Sequence, residues 1–333
     1  MTLRASVRST GRFLPARVVP NSYFYDDLGL DTNEEWIRSR TGIITRHVVS
    51  EGETTATMST EASKRCLESA GLEAGDIDGV IVGTITPDQP CPSTACMVQD
   101  AIGATGAFAW DVNAACSGFV YALAQATGMV RSGIARRILV IGADAMTTIL
   151  DYTDRNTCII FGDGAGAFIL EGIESDEPVP REVIDFCLHS DGSGGRYLQV
   201  PAGGSAMVSS HETVDQRLHY VKQDGRTVFK HAVTRMTEVL RELLEKNSIA
   251  GDEIDVFVPH QANKRIVEAC AKRLGLEDSQ VVLTLENWAN TTAGTIPTSF
   301  DLAVETGRIK AGDLVVLGTF GAGFTWGASL IRW

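Results

Sequence analysis

Ala74-Gly75-Asp76-Ile77-Asp78-Gly79-Val80-Ile81-Val82-Gly83-Thr84 has a counterpart late in the chain, Ala250-Gly251-Asp252-Glu253-Ile254-Asp255-Val256-Phe257-Val258-Pro259. Each reads as a polar turn followed by a short apolar run. Such a run, bounded by turn residues, is the pattern of a strand buried on both faces. The echo continues downstream. Ser132-Gly133-Ile134 precedes the run RILVIG at 137–142, and Gly307-Arg308-Ile309 precedes LVVLG at 314–318. The same interval, 62 positions, separates Val80 from Gly142 and Val256 from Gly318. Matched order with matched spacing points to an internal duplication. Helical patterns fall between the strands, at 61–70 and 119–130, then at 228–246 and through Ile266, Val267, Cys270 and Leu274. Strands alternating with helices predict a layered α/β fold. The expected division is 1–172 and 173–333, with 173–225, rich in Gly, Ser, Asp and Pro, as a loop excursion between halves. Two similar halves packed together place a pocket at their junction.

Within the first half, Asp111-Val112-Asn113-Ala114-Ala115-Cys116-Ser117-Gly118-Phe119 carries an apolar strand into a helix of few charges. Cys116 falls at the turn. Free backbone N–H groups and the positive end of the helix dipole favour a thiolate there, the attacking form of cysteine. The plainer alternative is a buried structural cysteine, the commoner fate of a free thiol.

The second half ends its first apolar strand in Val258-Pro259-His260-Gln261-Ala262-Asn263. A histidine at the C-terminal end of a strand faces the crevice of an α/β sheet; otherwise it caps the strand. Asn290, in Trp288-Ala289-Asn290-Thr291-Thr292-Ala293-Gly294, offers an amide to a pocket or makes an ordinary Asx-turn. The stretch 318–327 is glycine-dense after a strand, which lets backbone N–H groups approach a ligand. It lacks the Lys-Ser/Thr ending of a phosphate loop, as does 162–166, which reads as tight strand packing.

Composition narrows the classes. The 333 residues carry 29 Lys and Arg against 42 Asp and Glu, a net charge of −13, which argues against nucleic acid. No apolar run is long enough to span a membrane, and the first residues carry no apolar signal core, so a cytoplasmic protein is expected. Seven scattered cysteines, with no paired spacing and no Cys/His cluster, predict reduced thiols and no metal site.

Together these segments resemble the ketoacyl-ACP synthase III enzymes of the thiolase-like condensing superfamily. The likeness covers nearly the whole chain. It is most specific at the Cys116 segment, 258–263, the Asn290 segment and Gly323-Phe324-Thr325-Trp326-Gly327. Phe161-Gly162-Asp163-Gly164-Ala165-Gly166-Ala167 and Glu35-Trp36-Ile37 also match. The resemblance implies a thiolase-like fold: two βαβαβαββ halves in five α/β/α/β/α layers, in homodimers. It implies a decarboxylative condensation of an acyl-CoA primer with malonyl-ACP through an acyl-cysteine, with no cofactor.

Residue by residue, the resemblance makes Cys116 the nucleophile and His260 with Asn290 the pair that steadies the second thioester carbonyl. Backbone N–H groups of Cys116 and Ala322 form the oxyanion hole. Trp36, Arg40, Arg155 and Asn263 match CoA-binding positions. Lys230, Arg265, Lys272 and Arg273 match carrier-docking positions, or else form a solvated helix face. Phe320 and Cys91 match the acyl pocket. Elongating relatives carry Cys-His-His and degradative thiolases Cys-His-Cys; this chain has Cys-His-Asn. Two departures stand out. Ala322 replaces the middle of three glycines, and Cys91 replaces a bulky residue that limits the primer in some relatives. The same set fits a starter condensing enzyme, or an acyltransferase, of polyketide or quinolone metabolism. A catalytically silent acyl-binding partner typically loses the nucleophile.

Overall fold

The computed structural model describes residues 2–333. The first half runs β1 (Thr2–Phe13), α1 (Thr55–Ala70), β2 (Gly79–Gly83), α2 (Thr94–Ile102), β3 (Phe108–Val112), α3 (Gly118–Arg131), β4 (Arg137–Ala145) and β5 (Asp163–Ser175). The second runs β6 (Glu182–Ser190), α4 (Gly225–Lys246), β7 (Val256–Pro259), α5 (Lys264–Leu274), α6 (Thr295–Glu305), β8 (Leu314–Gly321) and β9 (Thr325–Arg332).

Strand order across the sheet is β7-β8-β9-β6-β1-β5-β4-β2-β3. Read outward from the middle, β1-β5-β4-β2-β3 is answered by β6-β9-β8-β7. The second half keeps only a trace of a strand equivalent to β3, a parallel bridge from Phe257 to Val281. Register repeats as well as order. Gly83 of β2 pairs with Gly142 of β4, and Pro259 of β7 pairs with Gly318 of β8. Within the sheet the two halves join at one ladder pair, Ser6 with Glu182.

Alternation along the strands assigns the layers. Val80 and Val82 of β2, with Leu139 and Ile141 of β4, pack against α1 and α2. Their neighbours Ile81, Ile138 and Val140 face the other way, onto α3 and α6. In the second half Val256, Val258, Val315 and Leu317 reach the same central core, while Phe257, Leu314 and Val316 pack under α4 and α5. The result is five layers, helix–sheet–helix–sheet–helix, with α3 and α6 buried between the two halves of the one sheet. Close approach in this centre is made possible by glycine: a Cβ on Gly166 would lie 2.6 Å from the Thr298 nitrogen. The 162–166 run thus packs a strand tightly against a helix.

Two expectations are corrected. Residues 173–225 are not all loop, because β6 crosses them and pairs along β9. Its residues alternate between layers, a signal masked by polar neighbours. Helix α1 begins at Thr55, six residues before the apolar pattern, because Thr54 and Thr57 form a reciprocal cap.

Candidate active site

The C-terminal ends of β3 and β7 and the turns leading into α3 and α6 converge on one cavity of about 760 Å³, which Cys116, His260 and Asn290 line together. Cys116 lies in a tight helical turn (Ala115–Ser117) that leads directly into α3. Ala115 before it has φ 48°, a left-handed backbone at a non-glycine residue, as occurs where a side chain is forced into a site. The turn is laced to the terminal loop. Thr319 Oγ1 donates to the Cys116 carbonyl (3.0 Å), Ser117 Oγ to that of Thr325 (3.1 Å), and Thr325 Oγ1 to that of Ala114 (2.8 Å). Gly321 has no room for a side chain, since its Cβ would lie 2.8 Å from the Cys116 nitrogen.

Burial, with the Asp144 carboxylate nearby, pushes the Cys116 thiol up to about 12. The helix terminus alone leads one to expect a resting thiolate; burial acts against it and favours the thiol form of Cys116. His260 is 3% exposed, and burial alone pushes it down to about 3, so its imidazole is neutral. Its backbone N–H donates to the Gly318 carbonyl and its Nδ1 lies 2.7 Å from Thr295 Oγ1. Asn290 Oδ1 accepts the Thr292 N–H (2.8 Å), which leaves Nδ2 as the free donor of the amide.

Cys116 also lines a second, apolar cavity of about 370 Å³, walled by Ile85, Met146, Phe161, Leu198, Val200 and Val221. The thiol thus stands between a large cavity with a cationic mouth and a smaller greasy one. Ala322 lines the smaller cavity beside it. The Ala322 backbone stays outside the left-handed region that Gly323 occupies at φ 133°, so its methyl adds no backbone strain.

Trp36, Arg40, Asn263, Arg265 and Phe320 line the larger cavity. Arg155 stacks on Trp36 with its guanidinium carbon 5.0 Å from the ring centroid and pairs with Asp31. A flat heterocycle slots between them only if the pair opens. Both ends of the Asn263 amide are engaged: Nδ2 donates to the Arg40 carbonyl and Oδ1 caps α5. Asn263 therefore braces Arg40. Arg265 lies over Phe229, whereas Lys230, Lys272 and Arg273 sit on the exposed side of α4 and α5 and line neither cavity. Phe320 lines the larger cavity rather than the apolar one. Cys91 is exposed and lines neither cavity within one chain, because the segment before α2 runs over the surface.

Two family models match the chain: "3-Oxoacyl-[acyl-carrier-protein (ACP)] synthase III" over residues 110–192, and its C-terminal model over residues 244–333. A beta-ketoacyl-[acyl-carrier-protein] synthase III of Solibacter usitatus is 48% identical over 333 residues, covering 99% of each chain. The one from Koribacter versatilis is 46% identical over 330 residues, covering 99% of this chain and 98% of its own. The crystal structure of 3-oxoacyl-[acyl-carrier-protein] synthase III from Aquifex aeolicus superposes with a TM-score of 0.90 at 37% identity, over 99% of this chain and 100% of that one. The chain belongs to the 3-oxoacyl-ACP synthase III family.

Several residues of this synthase III site receive no role from sequence reading, although Phe161 and Thr292 fall inside segments it singles out. Phe161 lines both cavities at Cys116. Asp144 ends β4 fully buried, and an acidic residue closing an apolar strand is the available signal. Thr292, in the turn before α6, and Thr295, which opens that helix, give none of their own. Among the described residues no three His, Cys, Asp or Glu side chains gather as a metal site requires. No described helix is long and apolar enough to cross a membrane.

Proposed function

We propose that this chain condenses an acyl-CoA primer with malonyl-ACP to give a 3-oxoacyl-ACP, CoA and CO₂, the priming step of fatty-acid synthesis. The observation that carries this reading is the placement of Cys116: one thiol shared by two cavities, with His260 and Asn290 in the larger. The cationic mouth formed by Arg40 and Arg265 suits a phosphorylated pantetheine arm, and the apolar cavity suits the acyl chain.

In the first half-reaction the Cys116 sulfur attacks the acyl-CoA carbonyl. Backbone N–H groups of Cys116 and Ala322 steady the oxyanion, CoA departs with the thiol proton, and the acyl group remains on sulfur. In the second, malonyl-ACP occupies the larger cavity. Its C–C bond to the carboxylate breaks, CO₂ leaves, and the electron pair moves onto the thioester as an enolate. His260 and Asn290 Nδ2 hydrogen-bond that oxygen. The enolate carbon attacks the acyl-cysteine, and the Cys116 thiolate departs and takes up a proton. Two half-reactions on one nucleophile give ping-pong kinetics. The reaction calls for no resident cofactor, since CoA and the carrier arrive as substrates.

Arg265 at the cavity mouth, with Lys230, Lys272 and Arg273 on the neighbouring exposed face, makes a landing site for an acidic carrier on an otherwise acidic protein. The division into 1–172 and 173–333 fits one nucleophile half and one half carrying His260 and Asn290. We further propose a cytoplasmic homodimer. Its support is β3, an edge strand whose Phe108 and Trp110 stack and are only half-buried.

Intact-protein mass spectrometry with acyl-CoAs from acetyl to dodecanoyl tests the reading. A mass gain of one acyl group is expected, absent in Cys116→Ala and discharged by malonyl-ACP. No adduct with any primer overturns it.

A further inference from the structure

His260 and Asn290 stand on different elements, one at the end of β7 and one before α6, yet both must reach a single enolate oxygen. Two donors converge on one atom only if their separation is held within a fraction of an ångström. The structure contains a link between them. Thr292 is 1% exposed and has φ 49°, a left-handed backbone that a β-branched residue seldom adopts. All three of its polar groups are in use. Its N–H donates to Asn290 Oδ1 (2.8 Å). Its carbonyl lies 3.0 Å from Thr295 Oγ1, which also lies 2.7 Å from His260 Nδ1. Its own hydroxyl donates to Asp144 Oδ2, a stronger acceptor than the Thr291 carbonyl at 2.9 Å.

Asp144 is a fixed point. It is fully buried at the end of β4 in the opposite half. Its Oδ1 accepts from Thr84 Oγ1, the Ile85 N–H, and the N–H and Oγ1 of Thr86; its Oδ2 also accepts the Ala293 N–H. We infer that Thr292 is the positioning residue that ties both members of the decarboxylation pair to this one buried carboxylate. Held this way, His260 and Asn290 shift together or not at all, and their spacing is preserved.

The same residue bears on the proton of His260. The Thr295 hydroxyl has one hydrogen and two acceptors in reach. Directed at Nδ1, it leaves the ring proton on Nε2, the tautomer that can donate to an enolate. Directed at the Thr292 carbonyl, it makes Nδ1 the donor and leaves Nε2 bare. The position of the Thr292 carbonyl therefore sets which tautomer the hydroxyl supports.

This inference rests on the proposed condensation, and its test separates the two. Thr292→Val, Thr292→Ser and wild-type full-length protein are compared in two assays. One is single-turnover acylation of Cys116 by acyl-CoA, read by intact mass. The other is CO₂ release from malonyl-ACP by enzyme already acylated. Thr292→Val is expected to slow CO₂ release about 100-fold, as loss of an aligned oxyanion donor does, while acylation stays within about threefold. Thr292→Ser is expected to recover CO₂ release to within about threefold of wild type, since it restores the hydroxyl bond to Asp144. If the valine variant does not fold, Thr292→Gly, which relieves the left-handed backbone while removing the hydroxyl, is expected to show the same split. Equal losses in both assays, or unchanged CO₂ release, in a folded variant overturns the inference. A wild-type protein that fails either assay overturns the functional reading itself, and the inference with it.

Discussion

Two helix-opening turns meet at the centre of this molecule, and they share a plan while doing different work. Ala115 (φ 48°) opens the Ala115–Ser117 turn into α3; Thr292 (φ 49°) opens the Thr292–Gly294 turn into α6. Each is held by a strand end of the other half. Thr319 of β8 holds the Cys116 carbonyl, and Asp144 of β4 holds Thr292 and Ala293. At matching strand ends the first half carries Thr84 and Asp144, and the second His260 and Phe320, by the shared register of Gly83 with Gly142 and Pro259 with Gly318. On the proposed reading, one end gives support and the other chemistry. The shared register supplies equivalent positions, and different residues at those positions separate the two ends.

Variants on one side at a time show whether that division holds. Cys116→Ala removes the nucleophile from the turn before α3, and condensation is expected to fall on the order of 10⁴-fold or more; a steady-state assay that finds less removes the acyl-enzyme from the scheme. His260→Ala is expected to cost about 10²–10⁴-fold in condensation, and Asn290→Ala about 10²–10³-fold, with Cys116 still acylated. Loss of acylation in either variant would mean the two turns do not divide the half-reactions.

The resting thiol gives a sharper view of the turn before α3. With the pKa of Cys116 at about 12, its alkylation by iodoacetamide is expected to rise about tenfold per pH unit between about pH 6 and 9. A plateau near neutrality would show that the helix terminus prevails over burial. His260 makes a matching statement about stability. Its folded pKa, about 3, lies below its ordinary 6.5, so the unfolded chain binds a proton that the fold excludes. Stability is complete above about pH 6.5 and is lost as pH falls below it. Thermal melts of His260→Gln should decline less steeply than wild type on acidification from about pH 6.5; identical slopes would discount the buried neutral ring. The smallest effect is expected at the equivalent place in the first half. Thr84→Val removes one hydrogen bond to Asp144 and should cost about 1–2 kcal/mol in denaturant unfolding while acylation persists. A loss of acylation there would make the first-half strand end part of the chemistry.

Much of this is legible in the chain. The echo of 74–84 in 250–259 foretells two halves, and their pairing register follows the same interval. Cys116, His260 and Asn290 stand out because each interrupts a buried strand end or a run of small residues with a reactive group. Asp144, Thr292 and Thr295 do not, because their roles lie in hydrogen bonds between residues far apart in sequence. The charge state of Cys116 escapes sequence reading for a related reason: a helix terminus is local and visible, whereas desolvation depends on everything folded around the thiol. Cys91 shows the reverse case, where a matched position lies outside either cavity of a single chain.

The truncated third strand of the second half has a consequence for assembly. One end of the sheet keeps β3, a full strand with an open edge; the other ends on β7, with only the Val281 bridge beyond it. In the proposed homodimer, pairing β3 with β3 would cover the full strand at one end of the nine-stranded sheet and leave an end carrying only a bridge on the far side of each copy. In that arrangement edge-to-edge growth would stop at two copies, because neither outer end offers a full strand to a third.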